Sequence, residues 1–142
     1  MKRKMEKLHP AYVAGFLDGE GTIRINKSYT KARGVRYELQ VCAVNTDPRP
    51  LIYLQKKYGG GVYTRKLVPR YKNAYCWTLG QHAALKVLEE VLPYLVIKKE
   101  RAELALEFSK AQTSMRGMKK ENKPVEIELR RLYYEQMKQL NR

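Results

Sequence analysis

Acidic residues are scarce in this chain. Fourteen Asp and Glu face 29 Lys and Arg, a net charge of +15 at neutral pH over 142 residues, with a pI near 9.9. That imbalance makes a polyanion the default partner, through attraction to phosphates and release of counterions; charge alone does not separate this from a membrane surface or an acidic protein. Cysteine is as sparse. Cys42 and Cys76 fall in strand-like segments without a C-x-x-C spacing, so they read as small apolar residues of an intracellular protein rather than ligands or a disulfide framework. Long apolar runs are missing too. The basic stretch from Met1 to Leu8 is followed by no apolar signal region, and the short run around Phe16 and Leu17 ends in Asp18 and Glu20, which excludes a membrane span there. A chain of this length is expected to form one domain with a real core.

Against these absences, glycine is spent where it costs most. Tyr12 to Gly21 reads Y-V-A-G-F-L-D-G-E-G, a helix-like segment opened by Pro10. Gly15 and Gly19 each cost a helix interior about 1 kcal/mol relative to alanine. At about 100° per residue, Ala11, Gly15 and Gly19 line one face with Ala14 and Asp18 beside them, while Val13, Phe16 and Leu17 form the opposite, core-facing stripe. A face stripped of side chains suits close approach of two backbones. Glu20, between Gly19 and Gly21, is thereby delivered to the mouth of that contact.

The segment Val13-Ala14-Gly15-Phe16-Leu17-Asp18-Gly19-Glu20-Gly21 resembles the nine-residue signature of the LAGLIDADG homing endonucleases, with the glycines and both acidic positions in place. No second copy of the motif occurs in the chain. The resemblance therefore implies the homodimeric branch of that family, with Ala11, Ala14, Gly15, Asp18 and Gly19 at the dimer interface.

Hydrophobic periodicity gives the rest of the order. Thr22 to Tyr29 and Val35 to Val44 alternate as two half-buried antiparallel strands, Ile23, Ile25, Val35, Tyr37, Leu39, Val41 and Ala43 lying on one side. Asp47-Pro48 starts a helix that Gly59-Gly60-Gly61 ends. A second hairpin, Val62 to Val68 and Ala74 to Leu79, follows, then helices over Gln81 to Leu92 and Ile97 to Ala111. A polar, basic stretch precedes a last helix from about Pro124. The expectation is an α+β fold of order αββαββα with an antiparallel sheet saddle and an extra C-terminal helix. Residues 1–112 form the core, 113–123 a basic connection and 124–142 the tail helix.

The resemblance also assigns chemistry. Glu20, with Gly19 beside it, is the expected metal ligand for Mg²⁺, with Mn²⁺ as a substitute. Two copies of Glu20 across a dimer axis could share ions that one carboxylate could not hold. Asp18 lies about 200° from Glu20 on a helix, so capping near the interface suits it better than ligation. Leu92-Pro93-Tyr94-Leu95-Val96-Ile97-Lys98 resembles the family's downstream segment, which makes Lys98 the expected catalytic lysine. Asn45 and Arg49 match the places of a water-ordering amide and a nearby basic residue, although Asn45 reads equally well as a turn former before Thr46-Asp47-Pro48.

A two-stranded ribbon fits the DNA major groove. The outward residues Arg24, Asn26, Ser28, Arg36, Glu38 and Gln40 are candidate base readers. Thr64, Lys66 and Tyr75 join them from the second hairpin, whose facing is ambiguous because Tyr75 shares parity with Trp77 and Leu79. Arg33, Arg65, Arg70 and Lys72 are placed for phosphates. Double-stranded DNA is the expected partner, with no membrane; an intron RNA stays open as a further one. The alternatives are a non-cleaving binder of the same fold, such as an intron maturase or a transcription regulator, and a basic RNA-binding structural protein. Glu20 and Lys98 together argue against the first, and the stripped helix face is left unexplained by the second.

Overall fold

The computed structural model describes residues 8–66, 73–115 and 123–142. Helix α1 (Pro10–Glu20) starts with Pro10 in its first turn and with the imidazole of His9 accepting the Ala11 N–H at 3.0 Å. It runs directly into β1 (Gly21–Thr30), which turns into β2 (Gly34–Asn45). Helix α2 (Arg49–Tyr58) leads to the short β3 (Gly61–Arg65), and β4 (Ala74–Gly80) passes straight into α3 (Gln81–Val91). After a single 3₁₀ turn at Leu92–Tyr94 come α4 (Lys99–Ser114) and α5 (Lys123–Leu140). The strands form one antiparallel sheet in the order β1-β2-β4-β3. This is the αββαββα order expected from the sequence, followed by α4 and then by the additional C-terminal helix α5.

One sheet face and the helices enclose a single core. Ile23, Ile25, Leu39, Val41, Trp77 and Leu79 meet Val13, Leu17, Val87, Leu88, Val91, Phe108 and Met137, and no polar residue among the described ones is buried. The turn after α2 is fixed by two glycines with positive φ, Gly59 and Gly60. A side chain at Gly60 would run into the Thr78 carbonyl, and the indole of Trp77 donates to the Gly59 carbonyl at 2.9 Å. Glycine is therefore required there for close approach as well as for φ.

Two boundaries differ from the periodic reading, each for a local reason. Helix α4 begins at Lys99 rather than Ile97, because the amides of Val96, Ile97 and Lys98 are taken by a side chain from α1. It continues past Ala111 to Ser114, where the Thr113 and Ser114 hydroxyls bond back to the Ser109 and Lys110 carbonyls. Helix α5 lies against β1 and α4. Met137 is buried, Tyr134 packs on Tyr37, and Asn141 donates to the Ile23 carbonyl at 2.9 Å. That last bond covers part of an edge strand that would otherwise offer free backbone groups.

Candidate functional site

On α1, Val13, Ala14 and Leu17 are buried while Ala11, Gly15 and Gly19 are exposed. A Cβ added at Gly15 or Gly19 would meet nothing within 4 Å. The glycines are thus not needed for packing inside the subunit; they leave an open strip of backbone. Ala14 corrects the expected interface set. It is fully buried in the subunit's own core, because a residue 100° round from Gly15 already faces the sheet. Around the strip lie exposed apolar side chains that periodicity does not single out: Tyr12, Tyr94, Val96 and Ile97, the last two 80% and 62% exposed.

Asp18 makes the tightest connection at this end of the molecule. Its carboxylate accepts the backbone N–H groups of Val96 at 2.9 Å, Ile97 at 3.2 Å and Lys98 at 3.0 Å. Expected as a capping residue near the interface, it instead holds the segment that leads into α4, its last bond reaching the amide of Lys98 at that helix's N-cap. The latch is reciprocal. Lys98 Nζ donates to the backbone carbonyl of Asp18 at 2.6 Å. Burial and then the neighbouring Arg101 push the Lys98 pKa below its usual value, opposed by the charges of Asp18 and Glu20. Lys98 and Glu20, 78 residues apart, are therefore brought to one helix end.

Glu20 itself is exposed and enters no ion pair among the described residues. It terminates α1, where the last carbonyls have no helical donor and the helix dipole is negative. The carbonyl of Gly19 in that last turn and the Glu20 carboxylate are hard oxygen donors, suited to Mg²⁺ or Ca²⁺. Among the described residues no group of three or more His, Cys, Asp or Glu comes together as a metal site. The donor set fits such an ion only if a second copy supplies the remainder.

The other two expected catalytic residues are engaged elsewhere. Asn45 Oδ1 accepts the Asp47 N–H at 2.9 Å, which is the turn-forming role. Arg49 chelates Asp47, with Nη2 at 2.6 Å from Oδ2, and this pairing pulls the Asp47 pKa down to about 2.

The sheet register sorts the candidate readers. Arg24 pairs with Gln40, Asn26 with Glu38 and Ser28 with Arg36, all on the face away from Ile23, Ile25 and Val41. For the second hairpin, Thr64 pairs with Tyr75, and Val62 with Trp77. Thr64 and Tyr75 therefore stand on the Trp77 side, correcting their placement on the reading face. Tyr75 packs against the core. The open face is supplied there by Tyr63, 52% exposed and missed by the sequence reading, and by Arg65. Once Trp77 is seen to be buried, strand parity places both on the open face. Lys66 is exposed just past the end of β3, and Arg33 is exposed in the β1–β2 turn. Arg70 and Lys72 lie outside the described residues.

No family model and no curated protein matches the chain. Solved structures do. The homing endonuclease I-CvuI, in complex with its target in the presence of calcium, is 22% identical, with 92% of this chain covering 80% of that one at a TM-score of 0.76. A second structure of I-CvuI holds uncleaved DNA in the presence of magnesium. An archaeal intron-encoded homing endonuclease complexed with DNA is 13% identical, with coverage of 92% and 82% and a TM-score of 0.73. The LAGLIDADG homing endonuclease I-GzeII, in complex with a DNA target, is 17% identical at a TM-score of 0.69; there 90% of this chain spans only 44% of the other.

Proposed function

We propose that this chain, which has the fold of the LAGLIDADG homing endonucleases, is a site-specific endonuclease that cuts both strands of DNA as a homodimer with Mg²⁺. One observation carries the reading. An exposed carboxylate, Glu20, ends a helix whose outer face is bare backbone, and the same helix end holds Lys98. The bare strip of Gly15 and Gly19, flanked by exposed Tyr12, Tyr94, Val96 and Ile97, supports pairing with a second copy. So does I-GzeII, which accommodates this chain in under half its length. Such a dimer sets two Glu20 side chains close together, each subunit then facing one half of a long pseudo-palindromic site.

Glu20 and the Gly19 carbonyl would hold the ion, and the I-CvuI complexes in calcium and in magnesium support a divalent cation. When bound, Mg²⁺ supplies positive charge for generating hydroxide and for stabilising the leaving oxygen. The chain's own residues do the rest. Lys98, tied to the end of α1, presents an ammonium to the scissile phosphate and can yield a proton at Nζ to the departing 3′ oxygen. Asp18 holds that lysine in place through the backbone of its own segment. The polar sheet face, with Arg24, Asn26, Arg36 and Gln40, contacts base edges, while Arg33 and Arg65 bind phosphates. Attack across the minor groove by two symmetry-related sites leaves short 3′ overhangs.

The test begins with selection of bound sequences from a randomised duplex library in Ca²⁺, followed by Mg²⁺ to start cutting. Glu20→Gln is expected to keep binding and lose cleavage by at least a hundredfold, of the order seen when one charge-stabilising group is removed from an active site. A chain that enriches no sequence, or a Glu20→Gln variant that cuts as fast as its parent, overturns this function.

A further inference from the structure

Arg24 on β1 and Gln40 on β2 stand directly opposite each other on the open sheet face. The guanidinium Nε donates to Gln40 Oε1 at 2.6 Å. Gln40 faces Gly80 on β4; of the two rows beside the pair, one consists of Thr22, Cys42 and Thr78 and the other of Asn26 and Glu38. Arg24 enters no ion pair among the described residues, in contrast to Arg36, which is held by Glu38 at 3.4 Å.

The hydrogen bond changes what each side chain can read. A free glutamine recognises adenine by accepting from N6 and donating to N7. The bond uses one of the two lone pairs of the Gln40 carbonyl oxygen and turns that oxygen toward Arg24, so the amide is no longer free to swing into the joint accept-and-donate pose that adenine needs. Arg24 has spent Nε, and its two terminal nitrogens remain as parallel donors. Guanine presents two adjacent acceptors, O6 and N7, to that fork. The bond also holds a long side chain partly ordered before DNA arrives, which lowers the entropy lost on binding.

We infer that Arg24 and Gln40 form one reading unit for guanine, in which Gln40 is a positioning residue and not a separate adenine reader. The inference rests on the DNA-endonuclease function proposed above. With one such unit per subunit, each half-site is expected to carry one guanine that depends on both residues.

The full-length chain and its variants are each used to select from a randomised duplex library, and preference is read at every base pair. Arg24→Ala is expected to lower the preference for that guanine by roughly five- to 150-fold, the range of a good bidentate contact. Gln40→Ala should lower preference at the same base pair by about two- to tenfold, the cost of ordering one long side chain. Gln40→Glu keeps an acceptor for Nε and should retain guanine, and the double variant should be no worse there than Arg24→Ala alone. The inference is overturned if Gln40→Ala relaxes a different base pair, if the two losses multiply, or if adenine is the preferred base opposite the pair. Enrichment of no sequence by the unaltered chain would remove the endonuclease function and this inference together, whereas sharp enrichment without guanine dependence on Arg24 removes the inference alone.

Discussion

Asp18 illustrates how one side chain can hold a site together without touching the reacting atoms. Its two oxygens serve three consecutive amides, and those amides carry Lys98. Charge-assisted bonds of this kind are stronger than neutral ones, and loss of a helix cap costs about 0.5–2 kcal/mol. Asp18→Ala is therefore expected to lower stability by about 1–2 kcal/mol in denaturant titration and to slow cleavage, with DNA affinity little changed. Asn restores one acceptor oxygen and should recover part of both. Equal loss of binding and cutting would show that the residue supports the fold in general and not the placement of Lys98. Tyr58 offers a second residue-scale test. Burial and then its hydrogen bond to Glu90 at 2.8 Å raise the phenol's pKa well above its ordinary value of about 10. A group whose folded pKa is raised lends full stability below its unfolded pKa and loses it as pH rises beyond. The folded chain should thus lose stability above about pH 10, and Tyr58→Phe should flatten that part of the curve in melts recorded across the alkaline range.

At the scale of elements, the sequence is most legible where periodicity and chemistry agree. The β1–β2 hairpin alternates cleanly for ten paired positions, so its inner and outer faces follow from one count. The second hairpin defeats that count. Tyr75, Trp77 and Leu79 share parity, and β3 spans only five residues; burial of Trp77 decides the matter, and burial is not written in the strand itself. Helix α1 is legible in its glycines but not to the residue, since Ala14 and Gly15 are both small and only packing separates them. The latch between Asp18 and the start of α4 was invisible because its two sides are eighty positions apart. The spacing around Gly15 yields a prediction of its own. Among the described residues nothing lies within 4 Å of a side chain begun at Gly15, so Gly15→Leu should leave the isolated subunit intact, with a gain of up to about 1 kcal/mol in helix propensity. Sedimentation should nonetheless show the natural chain as a dimer and the variant as a monomer. Association unaffected by the leucine would place the interface elsewhere.

For the whole molecule, the proposed function gives the charge of +15 and the open sheet different parts in DNA binding. Phosphate contacts release counterions and weaken every sequence alike when lost, whereas base contacts change preference at one position. Under the proposed function Arg33, exposed in the β1–β2 turn, is a contact of the first kind. Arg33→Ala should lower affinity evenly across sites and shallow the dependence of log K on log salt by roughly one unit per half-site, as measured by titration at several ionic strengths. A change in base preference instead would move Arg33 into the reading set. The latch of Asp18 has a further meaning during synthesis. At about 5–20 residues per second, the eighty residues that separate the carboxylate from the amide of Lys98 take a ribosome roughly 4–16 s to add. A nascent chain therefore exposes Asp18 early but gains Lys98 only after both hairpins have been made, so the two sides of the latch can meet only late in synthesis.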